Sequence, residues 1–311
     1  MDLPSALSLL QTAAELGLIS SLTVLSLFLS YSMLNVCDLS TDGCFTLGAA
    51  VGAMVAISGH PYLSIPAAML TGLLSGFITA FLQTKMGIDS LLAGIIVNTG
   101  LYSINIAVMG NTSLVNMTKA DTIFTKVKAL LSGTPLAAQS KLIVAAVAVI
   151  LVVLFLSFFL RTNLGLAIRA TGNNPDMVRS SSINTAKITI IGLCISNAIT
   201  ALSGCLLAQS QKSANIDIGT GMVTIALASL LIGGILFSKR RSITVRAVCS
   251  VLGALIFRLV YTAALRFNMP AYMLKLVSSI IVIIAISAPY LKSKLPLIKR
   301  RMELRKEKEV M

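Results

Sequence analysis

Residues Arg161–Thr185 read RTNLGLAIRATGNNPDMVRSSSINT, the longest polar, charge-bearing break between two apolar runs of membrane length. Arg161, Arg169, Arg179 and the following Lys187 stand against one acid, Asp176. Short loops rich in Lys and Arg stay inside, which assigns this one to the cytoplasmic face. Its local grammar is that of two short helices joined by a turn. Leu164–Ala170 holds helix formers, and Gly172 is able to take the left-handed position that ends a helix. Asn174-Pro175-Asp176 then supplies an N-cap, a proline at the first helical position and an acid in the first turn. A loop ordered in this way is expected to touch a partner.

The flanking chain is apolar. At 56% hydrophobic and 12% charged residues, with a mean hydropathy of +0.91, it lies far from the soluble balance of roughly half apolar and a quarter charged. The expected fold is an all-α polytopic membrane protein, one bundle formed by residues 1–311. Nine candidate spans follow, with eight to ten allowed: Glu15–Leu34, Cys44–Ile57, Pro66–Gln83, Ser90–Met109, Lys141–Leu160, Ile188–Gln209, Met222–Phe237, Ala247–Leu265 and Ala271–Tyr290. The N-terminus has no basic stretch before its apolar run and reads as a retained segment, not a cleaved signal. A net charge of +14 does not point to nucleic acid here. The basic residues sit at the ends of apolar runs, where they orient the chain and meet anionic lipid. The tail beyond Tyr290 carries eight of them, from Lys292 to Lys308, and is expected inside. Counting back puts Lys85, the 161–187 loop and Lys239–Arg246 inside too, in a multi-pass membrane protein.

Polar residues within the spans are the candidates for a pathway lining or an intramembrane network. Asp38-Leu39-Ser40-Thr41-Asp42-Gly43 interrupts the pattern between the first two spans. It reads equally well as a cytoplasmic turn and as backbone lining protein or a water-filled cavity, since carboxylates in lipid are costly. Asn98, Tyr102 and Asn105 recur at helical spacing, on one face expected to look inward. Asn197 lies in the sixth span, and Arg258 is the one basic residue well inside a span. A charge near the bilayer centre costs about 2.5–3.5 kcal/mol on insertion scales, so Arg258 is expected to find a carboxylate or carbonyls, with Asp38 or Asp42 the acids in view. Between spans, residues 111–140 contain an amphipathic pattern around Ile123–Leu130. The 209–221 loop offers Lys212 and Asp217 as candidate docking contacts, beside the simpler reading of a solvated loop.

No G-x-x-x-x-G-K-[ST] phosphate loop, G-x-S-x-G elbow or H-E-x-x-H pair occurs. His60 is the only histidine, and the five cysteines lie in or beside apolar runs as packing residues. The chain is therefore not expected to be an enzyme or to hold a cofactor or metal. An ion-coupled carrier would be expected to place more ionisable groups within its spans, although that reading and a non-transporting scaffold remain open.

Four stretches together resemble a known family: DLSTDGCFTLGAAV (Asp38–Val51), LLAGIIVNTGLYSINIAVMG (Leu91–Gly110), LGLAIRATGNNPDMVRSSSINTAKI (Leu164–Ile188) and the 192–233 region beginning GLCISNAIT. They are similar to the permease subunits of bacterial ATP-binding-cassette (ABC) importers of the branched-chain amino acid and ribose type. Within these, they are nearest to tryptophan/tyrosine transport system permeases. The resemblance implies a subunit that dimerises, binds a separate ATPase inside and receives a small solute from an extracytoplasmic binding protein. On the family's coupling motif it places Gly165, Arg169, Ala170, Gly172, Asn173 and Pro175. Two positions depart from the pattern: Ser182 stands where a glycine is usual, and Gly234 where an acid is usual.

Overall fold

The computed structural model describes residues 3–132, 139–236 and 242–266, with helical positions at 276, 279–284 and 287. The long helices are α1 (Leu3–Leu27, continuing as a π-helical turn Phe28–Met33), α3 (Ser64–Thr84), α4 (Ser90–Val108), α6 (Ser140–Phe159), α9 (Thr185–Gln211) and α11 (Ile243–Arg266). Each is long and apolar enough to cross a membrane. Shorter elements are α2 (Thr41–Ile57), α5 (Ile123–Leu130), α7 (Asn163–Asn173), α8 (Pro175–Ser180) and α10 (Met222–Leu236). Eight of the nine expected spans are thus helices. The ninth, the basic tail and Lys239–Arg241 lie wholly or mostly outside the described residues.

Two of the expected spans fold as helices shorter than a membrane-crossing length. α2 has 17 residues and α10 has 15, roughly 25 and 22 Å at 1.5 Å per residue, against a hydrocarbon core of about 30 Å. Each is completed at its N-terminus by non-helical chain. Before α2, the π turn ends with Leu34 N–H on the Leu29 carbonyl at 3.1 Å, and Asn35 takes a φ of +56°. Before α10, Lys212 caps α9 in the left-handed conformation (φ +55°) and the chain turns back through 213–221. The two breaks share a sequence, Asp38-Leu39-Ser40-Thr41 and Asp217-Ile218-Gly219-Thr220. They also share surroundings: α1 packs on α11, with Gly17 against Leu255, and α9 packs on α3, with Gly72 against the Asn197 carbonyl. α1 and α9 run in opposite senses, as the first helices of two inverted units with broken helices between them would.

α9 is the axis, buried along most of its length between α1, α2 and α3. Helices in lipid gain little from burying apolar surface against one another, so small residues and hydroxyls hold them. A Cβ on Gly48 would overlap the Ala201 backbone, and one on Gly204 the Phe45 carbonyl. Between α1 and α9, Thr23 donates to Ser203 Oγ (2.9 Å), Ser26 pairs with Ser196 (2.9 Å) and Thr200 (2.6 Å), and Ser203 donates to the Ile19 carbonyl (2.8 Å). Residue numbers rise along one helix as they fall along the other, so the pair is antiparallel.

At the far end from α7 and α8, β1 (Leu114–Asn116) pairs antiparallel with β2 (Ser213–Asn215), centred on Val115↔Ala214. This two-stranded sheet is a small addition to a fold that is otherwise helical, as the sequence predicts. Three residues per strand leave no alternation to read, and their pairing is set by the helices that carry them. The amphipathic pattern at 123–130 is helix α5, opened by a capping box between Thr122 and Thr125, with Ile123 and Phe124 buried and Leu130 exposed. Gln209 fixes it by accepting from Ile123 N–H (3.0 Å) while donating to Ser64 Oγ (2.6 Å).

Candidate translocation and coupling sites

The Arg161–Thr185 break folds as the two helices its sequence predicts. Thr162 caps α7 by accepting from Gly165 N–H (3.3 Å), and a Cβ on Gly165 would overlap the Phe159 carbonyl, so glycine permits the tight turn out of α6. Asn174, extended at φ −155°, ends α7 and caps α8, its Oδ1 accepting from Asp176 and Met177 N–H at 3.1 Å each, with Pro175 at the first helical position. Gly172 departs from expectation: it lies inside α7 and does not take the left-handed conformation. Its hydrogen side chain lets α7 sit directly on the break below α1, where a Cβ would overlap the Met33 carbonyl oxygen. That long-range contact is invisible in the local pattern. Ile168 and Val178 anchor the two helices in the bundle, and Arg179 Nε reaches Thr185 Oγ1 at 3.2 Å. Facing away are Leu166, Ala170, Asn173, Pro175 and Met177, all exposed, with Arg169 half-buried. Ser182, the departure from the glycine pattern, has φ +61°.

Asp38 and Ser40 are buried in protein, at 1% and 0% exposure, unlike residues of a solvated turn. Asp38 Oδ1 accepts from Ser40 N–H (2.8 Å) and Ser40 Oγ–H (2.6 Å), and Oδ2 accepts from Asn197 Nδ2 (2.7 Å). Thr79 Oγ1 donates on to Ser40 Oγ at 3.1 Å. Asn197 is twelve residues into α9, about 18 Å along it, so the network lies near the middle of that helix. Asp42, one turn on, closes the second break: its carboxylate accepts from Gly221 N–H (2.9 Å) and Val223 N–H (2.8 Å), capping α10. Arg258 therefore pairs with neither acid, and the expected ion pair is absent. Among the described residues the one salt bridge is Arg179–Asp176, at an exposed 3.7 Å. Arg258 lies over the Tyr261 ring at 5.1 Å, and its Nε has no partner among the described residues. The acids are spent on backbone and amide donors, which a count of charges could not show.

Asp42 also borders a cavity of about 320 Å³ between α2, α4 and the 216–220 turn. α2 contributes Asp42, Gly43 and Thr46; α4 contributes Asn98, Thr99, Tyr102 and Asn105; the turn contributes Ile216, Asp217 and Thr220. The three α4 residues singled out by spacing do share it, but not all look inward: Asn105 is buried, Asn98 half-buried and Tyr102 exposed. Asn105 Nδ2 donates to the Gly43 carbonyl (3.1 Å), and its Oδ1 is unpartnered. Sequence reasoning missed that the 209–221 loop turns inward to meet α2. The repeated Asp-(Leu/Ile)-x-Thr was the available signal. Lys212, by contrast, serves the sheet, its carbonyl accepting from Met117 N–H at 2.9 Å.

The family described as branched-chain amino acid transport system, permease component, matches residues 9–286. The chain is 33% identical over 268 residues to the tyrosine transport system permease protein of Clostridioides difficile strain R20291, covering 86% of each. An uncharacterized protein of Rickettsia prowazekii is 30% identical over 288 residues, covering 91% of this chain and 98% of the relative. The ribose import permease protein of Haemophilus influenzae is 25% identical over 255 residues, covering 81% and 76%. No solved structure matches. A mostly helical bundle with six membrane-length apolar helices, matched along most of its length, identifies a multi-pass membrane permease component of an ABC transport system, and the chain belongs to the branched-chain amino acid transport system permease family.

Proposed function

We propose that the chain is the membrane subunit of an importer that moves a small solute, an amino acid in the simplest reading, inward by alternating access. Residues 1–311 then form one permease domain, and ATP is hydrolysed on a separate ATPase subunit seated on α7 and α8. The end carrying those helices, with the chain's C-terminus, is cytoplasmic. A binding protein delivers solute at the opposite end, where Lys212 and Asp217 lie, and a second permease copy completes the pathway. The observation that carries this reading is the seating of α7. Gly172 packs on the Met33 carbonyl at the end of the π turn, so a push on the exposed Ala170–Met177 ridge is delivered straight into the break that leads to Asp38 and α2. The ridge supports an ATPase contact because it is capped at both starts and anchored by buried Ile168 and Val178. The amino-acid assignment rests on the name of the tyrosine transport relative.

Co-purification of the full chain with the cognate ATPase tests it. Ala170→Glu or Met177→Glu should abolish the association while leaving the permease folded by its melting curve. Association retained in both variants removes the α7–α8 ridge as the contact, and failure of the parent chain to associate, or uptake by the permease alone driven by an ion gradient, overturns the reading in favour of a secondary carrier.

A further inference from the structure

We infer that the cavity between α2, α4 and the 216–220 turn is a transit subsite for the ammonium group of a small solute, with Asp217 as its counter-charge. The inference rests on the permease reading and adds a solute class to it. Three features of the cavity argue for a cationic hydrogen-bond donor. First, its lining includes two carboxylates and no Lys or Arg. Second, the one feature that would attract an anion is already used, because the N-terminus of α10 is capped by Asp42 through Gly221 and Val223 N–H. Third, acceptors are left over. Asp217 is exposed and makes no ion pair among the described residues, and Asn105, 1% exposed, has its Oδ1 unpartnered while its Nδ2 is held on the Gly43 carbonyl. A buried amide oxygen without a donor is costly, so a group that donates to it is favoured. Tyr102 also lines the cavity, and aromatic side chains attract cations through the ring face.

A solute carboxylate finds no cation here, so an amine is held and its deaminated acid is repelled. The volume of about 320 Å³ admits a small amine whole.

The test reads the cavity's charge directly in the full chain, reconstituted with its ATPase. Thr99→Cys, at a residue that lines the cavity, is reacted with a trimethylammonium and a sulfonate methanethiosulfonate, and labelling of the parent chain's own five cysteines is subtracted. The cationic reagent should react faster, relative to the ratio at a free thiol. Asp217→Asn should cut that preference about tenfold, as removal of one unit charge a few ångströms away predicts, and Asp217→Glu should restore it. Tyramine should slow the labelling, and 3-(4-hydroxyphenyl)propionate should not. An unchanged preference in Asp217→Asn, equal protection by the propionate, or equal protection by sodium chloride at the same concentration would overturn the proposal. ATPase co-purification can fail while this preference holds, and the reverse, so the two readings fall separately.

Discussion

Gly172→Ala isolates the joint between α7 and the break below α1. The added Cβ would overlap the Met33 carbonyl oxygen and lie 2.9 Å from Leu34 C and 3.0 Å from Leu34 Cα. All three are backbone atoms, so no rotamer change relieves them, and ordinary carbon contacts begin near 3.5 Å. Either α7 or the 33–34 segment must move, by roughly 0.5–1 Å. Overpacking of this kind costs about 1–3 kcal/mol, and a better helix residue returns less than about 1 kcal/mol near a helix end. Overpacking wins. The control is Gly100→Ala in α4, where a Cβ meets nothing within 4 Å and propensity alone should stabilise by about 0.5–1 kcal/mol. Melting curves of the purified chains should therefore shift in opposite directions. In vesicles with the ATPase, Gly172→Ala should take up less solute per ATP hydrolysed, because the push from α7 is displaced from its seat. A Gly172→Ala chain that melts at or above the parent, with parental uptake per ATP, refutes the argument that this contact transmits motion.

Three further outcomes follow from the same geometry. Ser182→Gly removes a left-handed non-glycine residue and should raise the melting temperature by the equivalent of about 0.5–1 kcal/mol, a rise checked by calorimetry. Asp38→Ala deprives Ser40 N–H, Ser40 Oγ–H and Asn197 Nδ2 of their buried acceptor and should cost about 2–4 kcal/mol. Asp38→Asn should cost much less, since rotating the Asn197 amide turns its unpartnered Oδ1 towards the new donor; the two melting temperatures, measured side by side, decide this. Asn174→Ala loses a cap that accepts two backbone donors, worth about 1 kcal/mol, and should weaken ATPase co-purification more than it lowers the melting temperature.

What the sequence made legible was local. Span positions follow from apolar length, and the Asn174-Pro175-Asp176 start of α8 from hydrogen bonds that close within three residues. Gly172 was misassigned because the atom that demands a glycine belongs to Met33, some 140 residues away. The expectation of a carboxylate or carbonyls for Arg258 follows from charges that can be counted in a sequence, whereas the satisfaction of Asp38 by Ser40 and Asn197, and of Asp42 by Gly221 and Val223 N–H, cannot be counted there. The cavity was half visible: helical spacing found Asn98, Tyr102 and Asn105, but the inward course of 213–221 depends on where α9 stops, at a left-handed Lys212 no propensity would choose.

The hydroxyls between α1 and α9 set the step size of any motion along that seam. Thr23 and Ser26 face Ser196, Thr200 and Ser203 at intervals of three or four residues, so hydroxyls come opposite one another again only after a shift of a whole helical turn, about 5.4 Å. A slide of half a turn would strand several hydroxyls in a dry interface, each at a cost of about 1–3 kcal/mol. The seam behaves as a ratchet with detents rather than a bearing. A push delivered through α7, as proposed above, would therefore be taken up elsewhere in the bundle or carried along this seam by a whole turn.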